Sequence, residues 1–167
     1  MTIEELGSLG ELIGSFAVLI SLIYLGIQVR RSTDTARTST YQSVVADFSA
    51  LNRAIADSPD LSLLYVQAME DFGSLDPGQK ARMSQVFYMT FRNFENMFYQ
   101  HQKGYSDEDV WIGWKRLMLN YHARPGFQSW WAVRRDTYNP QFVEFLRNEK
   151  IDKPIASYRD ITELQSS

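Results

Sequence analysis

LIGSFAVLISLIYLGIQV, from Leu12 to Val29, carries no charged residue and is closed by Arg30 and Arg31. A hydrocarbon core about 30 Å thick needs roughly 20 helical residues to cross it, and the run from Leu9 to Val29 reaches that length with Glu11 at the headgroup level. This stretch therefore predicts a transmembrane helix. A cleavable signal peptide would place basic residues before the apolar run and small residues at a cleavage site after it. Here Glu4, Glu5 and Glu11 come first, so the segment is expected to be retained. Arginines after the run and none before it give the positive-inside bias. The expected topology is single-pass, with the N-terminus outside and everything after Arg31 cytoplasmic.

Within the span, Gly7, Gly10, Gly14, Ala17, Ser21, Tyr24 and Gln28 recur at alternating steps of four and three, which a helix turns into one stripe. Leu12, Phe16, Leu19, Ile20, Ile23 and Ile27 lie opposite. Small residues let helix backbones approach closely in lipid, and Gly10 to Gly14 is a GxxxG spacing. Gly10, Gly14, Ala17 and Ser21 are thus the candidate seam of a homo-oligomer; the plainer reading is that small residues are common in membrane helices.

The rest of the 167 residues suffices for one folded domain. A content of 44% hydrophobic and 14% aromatic residues argues against disorder, because so many rings must find burial. The net charge of −3 supplies no basic excess for a polyanion, and nucleic acid is not an expected partner. No cysteine is present and the histidines are His101 and His122, which removes thiolate and histidine-cluster metal sites and cysteine nucleophiles. No metal or cofactor is expected.

Neither Gly nor Pro occurs between Gly26 and Ser58, so one long helix is predicted to run from the membrane inward. Its part from Ser32 to Thr40 has modest helix propensity and no apolar stripe, which predicts solvation or fraying. Tyr41, Val44, Val45, Phe48, Leu51 and Ile55 then form a core-facing stripe, ended at Asp57 to Pro59. A short helix is expected from Asp60 to Phe72. Asp76 as N-cap and Pro77 in the first turn open the longest one, to about Lys103, with Met83, Val86, Phe87, Thr90, Phe91, Phe94, Met97, Phe98 and His101 inward and Gly104 as its C-cap. Ser106 is expected to open a helix that Pro125 and Gly126 end, and a last one begins near Phe127, interrupted at Asn139 and Pro140. No two-residue alternation is sustained. The fold class is all-α: an N-terminal transmembrane helix continuing into a cytoplasmic bundle of about five helices. The expected organisation is anchor 1–31, helical domain 32–150 and tail 151–167, the tail packing by Ile155 or Tyr158.

Between Trp111 and Arg135 there are Lys115, Arg116, Arg124, Arg134 and Arg135, His122 and four tryptophans, without Asp or Glu. Three readings fit this block: a pocket for an anionic ligand, a face against acidic lipid, or basic residues solvating a tryptophan core. The candidate ligand residues are Trp111, Lys115, His122, Arg124, Trp130 and Arg134. No GxSxG elbow, Walker loop, GxGxxG or HExxH occurs, so no catalytic residue is nominated. Glu70 with Asp71, and Glu95 with His101, have acid–base chemistry but nothing that orients them.

The run from Leu22 to Arg30, LIYLGIQVR, and that from Arg124 to Trp131, RPGFQSWW, resemble a widespread group of uncharacterised bacterial proteins with one N-terminal membrane helix. The resemblance implies a bacterial inner-membrane location and a helical cytoplasmic region, and it assigns no activity to any residue. The expected role is a membrane-anchored module for protein interaction or regulation, partnered by the bilayer, a second copy and a further protein. The alternative is a small anionic ligand binder or enzyme built on residues 111–135.

Overall fold

The computed structural model describes residues 3–151 and 154–156 and is helical throughout its regular structure. Six α-helices follow one another: α1 Ile3–Ala56, α2 Pro59–Glu70, α3 Pro77–Gln102, α4 Glu108–His122, α5 Pro125–Arg134 and α6 Pro140–Asn148. Short 3₁₀ turns lie at Phe72–Ser74 and Arg135–Thr137. The all-α expectation, with a long apolar first helix and five more behind it, holds. Two compact units divide the chain, Met1–Tyr41 and Gln42–Ser167.

In the first unit every described side chain from Ile13 to Thr35 is exposed. Among the described residues, α1 is the one helix long and apolar enough to cross a membrane. Its segment after Arg31 is helical and exposed, the solvated of the two outcomes expected there. The hydroxyls of Thr33, Thr35 and Thr38 donate to the carbonyls four residues back at 3.0, 2.9 and 3.1 Å, which absorbs polar groups that would otherwise compete with the helix.

In the second unit, α2, α3, α5 and α6 each begin on a proline, whose missing N–H costs nothing in the first turn of a helix. Pro125 and Asn139–Pro140 thus start helices, where the sequence reading had them stop or interrupt one. Asp76 and Gln79 close the reciprocal capping box of α3 at 2.8 and 3.0 Å. Gly104 follows α3 at a φ of 70°, the left-handed geometry that favours glycine there. The start of α4 differs from expectation: Asp107, not Ser106, holds the N-cap position, and the Ser106 hydroxyl donates to the Asp107 carbonyl instead.

The core is a continuous aromatic cluster with α3 along its middle. Phe91 stacks on Phe127 at 3.9 Å between centroids, and Phe87 meets Phe127 and Trp130 edge-on at 5.3 and 5.6 Å. Val44 is buried and Phe48 packs on Phe94 and Trp114, whereas Tyr41, expected on the same stripe, is exposed. At Gly126 the first turn of α5 lies against the last turns of α2, so closely that a Cβ would sit 2.0 Å from the Ala68 carbonyl oxygen. Only glycine allows that approach. Beyond α6, the Ile155 amide donates to Asn120 Oδ1 at 2.7 Å and its carbonyl accepts from Arg124 at 3.0 Å. Ile155 is therefore held by its backbone, its side chain staying exposed. Tyr158 lies outside the described residues.

Candidate functional site

The period of 3.6 residues splits the basic and tryptophan-rich block into an inner and an outer set. Trp111 and Trp130 point inward and are buried. Trp111 lies flat on the His101 ring at 4.3 Å, which also closes the question of a Glu95–His101 pair: His101 stacks, and Glu95 turns to Arg92 and Asn139. The Trp130 indole N–H donates to Ser84 Oγ at 2.8 Å, so its polar edge is satisfied inside the core. Lys115 pairs with Glu149 at 2.8 Å, and Arg124 is engaged with the Ile155 carbonyl at 3.0 Å. Arg134 faces solvent at the end of α5.

His122 is the chemically distinctive member of this set. It sits among the rings of Phe91, Phe127 and Trp131 at 6.5, 6.1 and 5.8 Å. Burial pulls its pKa down to about 4, so the imidazole is neutral at pH 7. The Gln128 amide nitrogen donates to the His122 carbonyl and stands 3.2 Å from His122 Nε2. That arrangement suits an Nε2 lone pair and provides no base poised over a substrate. Trp111, Lys115, His122, Arg124, Trp130 and Arg134 line neither the groove beside Phe48 and Tyr121 nor the two that meet at Phe98, Gln102 and Gln141.

A different concavity lies between α3 and the start of α6. It measures about 650 Å³ and takes its walls from α3 between Arg92 and Gln102, from Lys103 just beyond it, and from Asn139 and Gln141. Arg92 organises one end. Its guanidinium pairs with Glu95, donates to the Tyr88 hydroxyl and to the Thr137 carbonyl at 3.0 Å each, and lies over the rings of Tyr88 and Tyr138 at 4.9 and 4.5 Å. Glu95 in turn accepts from the Asn139 backbone N–H at 2.6 Å. These bonds join α3 to the turn that leads into α6 and set the width of the groove. Burial pushes the Tyr138 phenol well above its ordinary value, with Arg92 pulling the other way, and its hydroxyl donates to the Tyr88 carbonyl at 3.3 Å.

Carboxamides dominate the remainder of this groove: Asn93, Asn96, Gln102 and Gln141. Asn96 accepts from Gln100 at 3.2 Å, while the side chains of Asn93, Gln102 and Gln141 have no hydrogen-bond partner among the described residues. Phe98 provides an apolar base, and Tyr99 is half exposed at the rim. Sequence reasoning missed this site because its two walls are some forty residues apart in the chain, as in the Glu95–Asn139 bond. The one local signal was the run of Asn and Gln on a helix whose other face is built of Phe, Met and Val.

On the first helix, Gly10, Gly14, Ala17 and Ser21 are all exposed, and a Cβ at Gly10 or Gly14 would meet nothing within 4 Å. The Ser21 hydroxyl is occupied within its own helix, donating to the Ala17 carbonyl at 2.8 Å. Among the described residues no group of three or more His, Asp or Glu side chains is placed to hold a metal ion. No protein-family model, no curated protein and no solved structure matches the chain.

Proposed function

We propose that this chain is a membrane-anchored helical module for protein interaction or regulation at a bacterial inner membrane, held there by α1 and self-associating through it. One observation carries the reading. Ile13, Phe16, Val18, Leu19, Ile20, Leu22, Ile23, Leu25, Ile27 and Val29 are each 48–65% exposed on one helix, while Phe87, Phe91, Phe94, Phe127, Trp130 and Phe142 of the second unit are almost fully buried. A soluble monomer rarely exposes an apolar patch of more than a few hundred Å², and a helix apolar all round is covered by lipid or by protein. The basic residues Arg30 and Arg31 at its end support the orientation with the helical domain cytoplasmic.

Alkaline carbonate extraction of bacterial membranes tests the anchor, and intact mass of the extracted chain separates a retained span from a removed signal segment. The expected result is a pelleted protein with residues 1–31 in place; a supernatant protein, or one lacking them, overturns the reading. A reporter fused after Ser167 is expected to be active only in its cytoplasm-dependent form. Because Gly14 faces open space within its own chain, Gly14→Ile costs the protomer nothing by contact. Weakened self-association in a membrane assay therefore reports a neighbouring helix, and unchanged association removes the seam.

A further inference from the structure

The groove between α3 and α6 matches the chemistry of a peptide backbone. A carboxamide carries one donor group and one acceptor, the same pair that each peptide unit presents. Three such side chains, Asn93, Gln102 and Gln141, reach this groove from two helices without a partner among the described residues. A bound α-helix would leave them idle, since its own backbone groups are already paired. Extended chain would use them.

The dimensions agree. Residues 92 to 102 of α3 rise about 15 Å at 1.5 Å each. Extended chain advances about 3.3 Å per residue, so roughly five residues fit along that wall. A second trough of about 670 Å³ shares Phe98, Gln102 and Gln141 with the first and leads on toward Phe145 and Asn148, past Glu144 and Glu149, which are paired with Arg147 and Lys115, so the groove is lengthened rather than closed, as a linear ligand requires. Tyr99, half exposed beside Asn96, adds the rigid amphipathic surface on which binding sites for peptides rely.

Charge sets the polarity. Glu95 is engaged by Arg92 and by the Asn139 amide, whereas Lys103 has no carboxylate within ion-pair distance among the described residues, its ammonium lying 5.5 Å from the Tyr99 ring centre. One cation is thus free at the α3 end of the groove.

We propose that this groove holds an extended segment of about five residues from a partner protein, with an acidic side chain of that segment against Lys103. The inference rests on the reading of the chain as an interaction module and names the kind of partner. The test uses the full-length chain in nanodiscs, panned against a displayed library of random heptapeptides, with fluorescence anisotropy of the enriched peptides. Enriched sequences should share an Asp or Glu at a fixed place. Gln141→Ala and Gln102→Ala should each weaken binding about tenfold, and Lys103→Glu should abolish it for acidic peptides while admitting their Asp→Lys or Glu→Lys counterparts. Gln102, Lys103 and Gln141 are exposed, so these variants keep the fold. A library that enriches nothing over empty nanodiscs overturns the proposal, as do peptides indifferent to the three substitutions. A chain that resists carbonate extraction yet enriches no peptide loses the groove assignment alone; one released by carbonate loses the anchor, whatever it binds.

Discussion

Two stretches rich in large apolar residues, Leu12–Val29 on α1 and Met83–Phe98 on α3, end in opposite environments. On α3 the large apolar residues recur at three and four, and Met83, Val86, Phe87, Phe91, Phe94, Met97 and Phe98 are all buried while Gln85, Met89 and Tyr99 face out. On α1 they cover every side except the stripe of Gly14, Ala17, Ser21, Tyr24 and Gln28, and every described one is exposed. Periodicity and hydrophobicity together separate a helix that its own chain covers from one that it leaves uncovered. The first makes a seam for neighbouring helices; the second leaves no charged side to turn toward water.

That contrast breaks most visibly by truncating one ring on each side. Phe91→Ala removes a fully buried ring that stacks on Phe127 and should cost the second unit about 3–5 kcal/mol. Phe16→Ala, on a side chain 62% exposed, should leave the same unfolding free energy within about 0.5 kcal/mol. Urea unfolding in micelles, followed by the fluorescence of the four tryptophans, all of which lie in the second unit, reads both. Equal losses would dissolve the distinction. The reverse experiment places a charge in the first stretch: Leu19→Asp should cost about 3 kcal/mol of insertion and shift protein from the carbonate-resistant pellet to the supernatant, with the tryptophan signal of the folded unit unchanged.

A second pair sharpens the comparison at the scale of single atoms. Gly14 and Gly126 look alike in sequence, each beside a bulky apolar run. Around Gly14 a Cβ meets nothing; at Gly126 it lies 2.0 Å from backbone oxygen that cannot move without shifting α2. Gly126→Ala should therefore destabilise the second unit by about 3 kcal/mol, the upper part of the range for overpacking, whereas Gly14→Ala should leave it unchanged. Thermal melts followed by near-UV circular dichroism separate the two.

These glycines also mark where reading the chain in one dimension stops. The long apolar helix, the α3 stripe and the Asp76–Pro77 start were legible because each depends on residues within a few turns. Pro125 and Pro140 were misread as stops, since a proline reports a helix boundary without saying on which side the helix lies. The basic and tryptophan-rich block read as one unit because its residues are neighbours in sequence. Helical periodicity then turns Trp111 and Trp130 in, sends Lys115 to Glu149 and Arg124 to Ile155, and leaves Arg134 in solvent. The carboxamide groove had the opposite fate: Arg92 meets Thr137, and Glu95 meets Asn139, only once α3 and the turn before α6 are packed together.

The smallest expected effect comes from His122, half-buried among the rings of Phe91, Phe127 and Trp131. His122 falls from an ordinary value of 6.5 to about 4 because burial disfavours its charged form. In the unfolded chain it takes up a proton near pH 6.5, in the folded chain only near pH 4. Above pH 6.5 both states are neutral there and His122 adds no pH dependence; as pH falls from 6.5 toward 4 the unfolded state holds the extra proton and stability declines. By pH 5 the loss should be about 2 kcal/mol, at 1.36 kcal/mol per unit. The chemistry of the contact agrees in sign. Gln128 Nε2 is fixed as a donor by its bond to the His122 carbonyl, so protonating His122 Nε2, 3.2 Å away, would set two donors against each other. Urea unfolding at pH 7 and pH 5 measures the difference, and His122→Gln should flatten it. Exposed histidine would show no such decline, so an unchanged slope in the wild type would place His122 in water and undo the buried half of the comparison.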